Sequence, residues 1–266
     1  MVVLSAHWEG GRDFVEGCFS PGYLLIEVNA EEKASLIYDF YGFPSHYYKV
    51  KYPNRGDKKL ADQVIALLNE KGIKARGTDR GLDHGVWVPF KVAFDPEENP
   101  IDIPIVQGHS PHYSLNLIPV SLFDNESVDD HLKLGHALSS LRDQNIMIVG
   151  GGMTVHNLRA SMPLLGADAR NKVYAFTSEF NEVTVTATTS SFGAQREEEM
   201  KEVFKREDLR LAHPTLEHLM PWTVCIGAAG EDKGECLFET VEYGALGWAS
   251  FCFGGTKSEE KSGDES

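Results

Sequence analysis

The strongest constraint on the fold is the alternation of short apolar runs with longer stretches of helical periodicity. The runs MVVLSAHW, GYLLIEV and NIMIVGGG have the length and composition of buried strands. Between them, KKLADQVIALLNEKG places apolar residues on one helical face and ends in Gly72, and DDHLKLGHALSSLRDQ has the same period. This alternation predicts an α/β fold in which helices flank a central mixed β-sheet.

Four further segments have weaker patterns. The segment VWVPFKVAF is apolar but contains Pro89, so its state is ambiguous, and DIPIVQ is a candidate strand. The segment REEEMKEVFKRED predicts a solvent-exposed helix, and HPTLEHLMPWTVCIGAAG predicts a helix that continues into an apolar stretch.

The chain has no internal repeat and no linker, which indicates a single domain over residues 1–253. Residues 254–266, GGTKSEEKSGDES, lack apolar side chains and predict a disordered acidic tail.

Charge and hydropathy exclude several classes of function. The formal net charge is −15 and no Lys/Arg-rich block offsets it, which argues against binding to nucleic acid or to anionic membranes. No run approaches the roughly 18 apolar residues of a membrane span, and the N-terminus lacks the features of a signal peptide. The four cysteines (Cys18, Cys225, Cys236 and Cys252) have no CxxC spacing, which favours reduced thiols in a cytoplasmic protein.

Histidines at the ends of predicted core elements are the first candidates for chemistry. His7 follows an apolar strand, and open α/β sheets bind ligands at the carboxyl ends of their strands. His84 lies between an aspartate and a glycine, and His213 precedes Pro214 at a predicted helix entrance. A lone histidine is more often a hydrogen-bonded structural residue, so each has that alternative as well.

The remaining histidines carry weaker signals. His218 follows His213 by five residues, which would place the two side chains far apart on one continuous helix. His46, His131 and His136 have polar neighbours and are predicted to lie at the surface.

The glycines at positions 150–152 follow a predicted strand, as a dinucleotide-binding loop would. A GxGxxG fingerprint would need glycine where Val155 stands, so we interpret the glycines as allowing a close backbone approach that brings His156 into a site. No GxSxG motif and no adjacent Cys–His pair supports nucleophilic catalysis. Imidazole suits iron and zinc, and two or three such ligands with open positions make a site for O₂ or a chelating substrate.

A set of motifs in sequence order resembles the class III extradiol ring-cleaving dioxygenases, especially the 4,5-DOPA dioxygenase-like branch of plants, bacteria and fungi. These motifs span residues 2–253 and include SAHWE, IYDFYGFP, RGLDHGVWVP, GGGMTVHNLR, AHPTLEHLMP and GAAGED. The resemblance implies that O₂ and one non-haem Fe(II) or Zn(II) per chain cleave a small catechol such as DOPA next to its two hydroxyls. It also implies a monomer or small homo-oligomer.

Carried over motif by motif, the resemblance implies roles for four histidines. His7 and His213 would be metal ligands, His156 would be the acid/base, and His84 would face substrate and oxygen. Four aromatic residues are candidate pocket walls: Trp8, Tyr41, Phe43 and Trp87.

Two departures from the family pattern define the alternatives. Relatives begin with a further strand and an SHG or GHG loop that supplies a metal histidine, so we expect this chain to be truncated before Met1. Residues 108–119, GHSPHYSLNLIP, have no counterpart in the relatives and suggest a retained intron; His109 or His112 is disfavoured as a replacement ligand. The alternative to an enzyme is an inactive binding or regulatory member of the same fold, and a zinc-dependent hydrolase ranks third.

Overall fold

Two β-sheets and the helices around them make up the computed structural model, which describes residues 1–10, 24–94, 116–165 and 168–254. The strands are β1 (Val2–Glu9), β2 (Ile26–Asn29), β3 (Ala75–Thr78), β4 (Ile118–Leu122), β5 (Ile148–Gly151), β6 (Val155–His156), β7 (Gly234–Glu242) and β8 (Leu246–Phe253). The helices are α1 (Lys58–Glu70), α2 (His84–Ala93), α3 (Val128–Leu138), α4 (Leu158–Ser161), α5 (Ala175–Thr189), α6 (Gly193–Val203), α7 (Leu209–Ala212) and α8 (Met220–Ala229).

The larger sheet has the strand order β3-β2-β4-β1-β5. Strand β1 pairs in parallel with both β4 and β5, and β2 pairs in parallel with β3 but antiparallel with β4. Strands β2 and β4 are buried along their whole length, as expected for a sheet covered by helices on its faces. A second, antiparallel sheet has the order β6-β8-β7. The predicted α/β fold with a central mixed sheet is confirmed.

Strands β1, β2 and β5 and helices α1, α3 and α6 lie at segments whose patterns predicted them, whereas β7, β8 and α5 were not predicted. In two further segments the structure decides or changes the prediction. The segment around Pro89 forms α2, because its buried face of Val86, Trp87 and Phe90 has the helical period. The predicted helix at HPTLEH is instead a turn, and the apolar stretch after it is the helix α8, which is buried on almost every side. The candidate strand DIPIVQ, residues 108–115 of the suspected insertion, and residues 255–266 lie outside the described residues.

Helix α8 packs closely against α3. A Cβ atom on Gly135 would come within 2.2 Å of the Val224 carbonyl oxygen, and one on Gly227 within 2.6 Å of the Leu132 carbonyl oxygen. Only glycine fits at such backbone approaches.

No helix in the described ranges is both long enough and apolar enough to cross a bilayer.

His131 is buried inside α3, so the prediction that it lies at the surface is wrong. Its Nδ1 lies 2.7 Å from the Ser127 carbonyl oxygen, and its Nε2 accepts the Phe123 backbone N–H at 3.3 Å. These two contacts suit the neutral ring, with the proton on Nδ1. Burial lowers the pKa of His131 below its usual 6.5, because a charged ring would lose its hydration.

This buried histidine predicts a loss of stability on mild acidification. Above pH 6.5 the ring is neutral in both the folded and the unfolded state. Below pH 6.5 the ring binds a proton in the unfolded chain but not in the native state. The free energy of unfolding therefore falls as the pH falls. We expect His131→Gln to flatten this decline by up to about 1.4 kcal/mol per pH unit. Urea unfolding at several pH values between about 7 and 5 measures the slope. An unchanged slope in the variant would contradict the assignment.

Candidate functional site

His7 lies near the carboxyl end of β1, between β4 and β5. The register of β1 against β4 shifts between Leu4 and Glu9, so His7 leaves the regular ladder. It is half-buried, whereas its neighbours Ala6 and Trp8 are buried. The imidazole of His7 therefore lies at the carboxyl end of a central strand of the sheet, as the sequence predicted.

His84 stands at the first position of α2, and Asp39 holds it there. The backbone N–H of His84 donates to Asp39 Oδ1 at 2.9 Å, and His84 Nδ1 lies 2.8 Å from the same oxygen. The rings of His84 and His7 are 4.0 Å apart between centroids, and Asp39 Oδ2 lies 3.9 Å from His7 Nδ1. The structure therefore brings together two of the predicted site histidines around one carboxylate.

His218 and His156 continue the arrangement on the other side of His7. The ring of His218 meets the ring of His7 edge-on at 4.9 Å, and it stacks on the ring of His156 at 3.5 Å. Glu217 Oε1 lies 3.0 Å from His218 Nδ1. We call His84, His7, His218 and His156, in this spatial order, the histidine row. On one side of His7 the carboxylate of Asp39 contacts His84, and on the other side that of Glu217 contacts His218.

Burial keeps two members of the histidine row uncharged. Burial first, and then the neighbouring rings of His84 and His218, lower the pKa of His7 to about 4. Burial first, and then His218 and His213, lower the pKa of His156 to about 3. Both rings are therefore neutral at pH 7, and a neutral imidazole nitrogen is the form that binds metal.

Glu217 is ionised beside the row. Burial by itself would raise its pKa, but hydrogen bonds from His218 and from the Thr215 hydroxyl lower the pKa of Glu217 to about 2. A carboxylate that accepts the Nδ1 proton of His218 leaves Nε2 of that ring free for a ligand. Metal-binding histidines commonly have such a carboxylate partner.

His213 lies beside the row rather than in it. Its side chain is completely buried, and its Nε2 lies 2.8 Å from the Thr154 carbonyl oxygen. Burial lowers the pKa of His213 to about 4. The Thr154 carbonyl occupies Nε2 of His213, and its buried Nδ1 has no hydrogen-bond partner. Among the described residues, neither of the two groups of clustered ligand atoms includes His213, so this geometry does not favour its predicted role as a metal ligand. His218, which the sequence argument separated from the site, contacts His7 directly.

Three residues around β1 fix the backbone of His7, and we call Ser5, Arg80 and Asp83 the His7 clamp. The His7 N–H donates to Ser5 Oγ at 3.1 Å, and Ser5 Oγ donates to Asp83 Oδ1 at 2.7 Å. Arg80 donates to Asp83 Oδ2 and to the His7 carbonyl oxygen, both at 3.0 Å. The Arg80 guanidinium also lies 5.1 Å above the ring of Trp8. Both backbone polar groups of His7 are therefore held.

The glycines after β5 allow the close approach that their sequence suggested. A Cβ atom on Gly152 would come within 2.4 Å of the His218 carbonyl oxygen, and the Met153 N–H donates to that oxygen at 2.9 Å. This contact joins the loop before His156 to the segment of His218. The glycine run thus helps to bring the two stacked rings together.

The other predicted pocket residues divide into two that are buried and two that are exposed. Trp8 and Trp87 are core residues, 2% and 3% exposed, whereas Tyr41 and Phe43 are exposed. His46 and His136 are exposed, as predicted. His109 and His112 lie outside the described residues.

The donor set fits a divalent transition metal. Among the described residues, His7, Asp39 and His84 form one group whose potential ligand atoms lie within 4.8 Å of one another, and His156, Glu217 and His218 form a second. Neutral imidazoles with supporting carboxylates suit iron or zinc, whereas calcium and magnesium prefer oxygen ligands alone.

Comparison with known proteins identifies a family for the chain. A family profile described as the catalytic LigB subunit of aromatic ring-opening dioxygenase matches residues 1–254. A 4,5-DOPA dioxygenase extradiol of Beta vulgaris is 32% identical over 259 residues, covering 96% of this chain and 83% of that protein. The dioxygenase tasH of Hapsidospora irregularis is 32% identical over 269 residues, covering 97% of this chain and 72% of that protein.

A solved structure extends the comparison to the fold. The crystal structure of an uncharacterised protein of Escherichia coli K12 superposes with a TM-score of 0.67 at 25% identity, covering 94% of this chain and 84% of that one. The extradiol-type resemblance of the sequence motifs is confirmed by the family match and the named relatives. The chain therefore belongs to the LigB family of aromatic ring-opening dioxygenases.

Proposed function

We propose that this protein is a metal-dependent extradiol dioxygenase that opens the ring of a catechol beside its two hydroxyls. The single observation that supports this most is the histidine row, four contiguous imidazoles with a carboxylate on either side of His7. The relatives named 4,5-DOPA dioxygenase make DOPA a natural first substrate to test. The reaction adds both atoms of O₂ across one ring C–C bond, which breaks to leave an aldehyde and a carboxylate.

We assign the metal to His7 and His218, the two central members of the row, in place of His7 and His213. The Nδ1 contact with Glu217 orients His218 and leaves its Nε2 available. A bound Fe(II) supplies the electron exchange between a chelated catechol and O₂ that redox-inert Zn(II) does not supply. We therefore favour iron as the catalytic metal.

The outer members of the row handle protons. His156 is neutral at working pH, which leaves one ring nitrogen with a free lone pair that can accept a hydrogen bond from a catechol hydroxyl. His84 is held by Asp39 through its backbone N–H, and its Nδ1 lies against the same oxygen, which directs Nε2 away from that carboxylate. We assign His156 as the acid/base and His84 as the residue that faces substrate and oxygen.

The proposed function is tested with the full chain loaded with Fe(II) under anaerobic conditions and then desalted. We expect retained iron, consumption of one O₂ per catechol, and a product that carries two oxygen atoms from labelled O₂. Zinc-loaded protein should be inactive with the same substrates. Catechol binding without any turnover of the iron-loaded chain would instead support an inactive binding member of the family.

A further inference from the structure

Aromatic side chains lead outward from one end of the histidine row. The ring of Phe40 lies 5.7 Å from the ring of His84, nearly perpendicular to it. Phe43 lies 5.4 Å from Phe40, and Tyr47 lies 6.0 Å from Phe43, both edge-to-face. We call Phe40, Phe43 and Tyr47 the aromatic strip. It is continuous with His84 and ends at the protein surface.

The inner end of the strip is anchored. The ring of Phe40 lies 5.0 Å from the ring of Tyr48 and 6.1 Å from that of the buried Trp87. Phe40 is partly buried and packs against the hydrophobic cluster that includes Trp87. The Tyr48 hydroxyl donates to the Phe40 carbonyl oxygen at 3.1 Å. Gly42 has a φ of 79°, so a left-handed turn directs the chain from Phe40 to Phe43. The strip therefore has a fixed root beside the site.

The outer end of the strip is open. Phe43 is 56% exposed and Tyr47 is 46% exposed, although both rings could bury more surface against an apolar partner. Contiguous exposed aromatic residues beside a polar site commonly mark a ligand surface. Asp39 precedes Phe40 directly and its carboxylate lies beside His84, so the inner end of the strip disfavours an anionic substituent.

We propose that the aromatic strip is a subsite for an apolar aromatic substituent of the catechol, so that the preferred substrates are aryl-substituted or polycyclic catechols. This inference rests on the proposed function, because it places the reacting ring at the histidine row. A substituent ring stacked on Phe43 would connect to the histidine row through Phe40, whose ring lies 5.7 Å from the ring of His84. A small polar side chain such as that of DOPA leaves this surface uncovered.

The test compares 4-phenylcatechol with 4-methylcatechol in wild type and in Phe43→Ala. Dissociation constants are measured by anaerobic calorimetry on the iron-loaded chain, and kcat/KM is measured in air. The matched control is Phe238→Ala, because Phe238 is 57% exposed on β7 and lies in the other sheet. Loss of one aromatic contact should weaken 4-phenylcatechol by about three- to tenfold and leave 4-methylcatechol within about twofold.

The outcomes separate this inference from the proposed function. If Phe43→Ala weakens 4-phenylcatechol selectively and Phe238→Ala changes neither ligand, the subsite is supported. If wild type cleaves both catechols but Phe43→Ala affects them equally, or affects neither, the inference is overturned and the proposed function stands. If neither catechol binds wild type or is cleaved by it, both are overturned. Phe43→Leu, which keeps apolar area without a ring, should recover only part of the selectivity.

Discussion

Replacing His218 with alanine should lower the affinity of the protein for Fe(II) by more than about 100-fold, since even changes in outer-sphere partners of a metal ligand cost 10- to 100-fold. The physical reason is the central place of His218, which contacts His7 on one side and His156 on the other. The readout is retained iron per chain, with affinity from competition against a chelator. Catechol cleavage should be lost in parallel.

His213→Asn is the matched control for this prediction. An asparagine amide can still donate to the Thr154 carbonyl, which is the contact that His213 Nε2 makes. We expect iron affinity within about threefold of wild type, although the free energy of unfolding will fall because the smaller side chain leaves a cavity. The opposite pattern, loss of iron in His213→Asn and its retention in His218→Ala, would return the metal to His213.

The sequence could identify His218 as a site residue only if the end of α7, the helix before it, were known. The predicted separation of the two side chains holds only for one continuous helix through His213 and His218. In the structure α7 ends at Ala212 and α8 begins at Met220, and the turn between them directs His218 toward His7. Pro214 and Pro221 marked this break, since proline favours the first positions of a helix.

The carboxylates of the site are harder to predict than its histidines. His7, His84 and His156 follow a strand, an aspartate and a glycine run, all of which are local signals. Asp39 contacts His84 across 45 positions of sequence, and it is one of 40 acidic residues in the chain. No spacing rule distinguishes it, because the contact exists only after α2 has packed against the segment that follows β2.

The fold was predictable where the hydrophobic period is regular. Strands β1 and β5 and helices α1 and α3 have such periods, and each lies where its pattern predicted. The hairpin of β7 and β8 gave no such signal, because a register shift between Cys236 and Phe238 interrupts the alternation along β7. The turn of this hairpin has positive φ at both Tyr243 and Gly244. In the sequence, only the glycine indicates such a backbone conformation.

Replacing Asp83 with alanine should destabilise the protein by about 3–5 kcal/mol, the usual cost of removing one partner from a buried ion pair. Asp83 is 1% exposed and accepts hydrogen bonds from both Ser5 and Arg80. Its loss leaves the Arg80 guanidinium without its carboxylate in a largely buried place. Urea unfolding measures the change. The control is Asp62→Ala, which removes an exposed pair with Lys58 and should cost less than about 1 kcal/mol.

Asp83→Asn separates global stability from the position of His7. Its amide oxygen can accept from Ser5 or from Arg80, but it lacks the charge that holds Arg80 across both Asp83 and the His7 carbonyl. We expect this variant to lose less stability than Asp83→Ala, yet to bind Fe(II) about 10- to 100-fold more weakly than wild type, as supporting residues of metal ligands do. Wild-type iron affinity in Asp83→Asn would limit the clamp to a role in stability. The variant must remain folded at every concentration of iron used, so that global unfolding cannot account for a loss of affinity. Weakened Fe(II) affinity in that folded variant would show that the clamp acts on the orientation of His7.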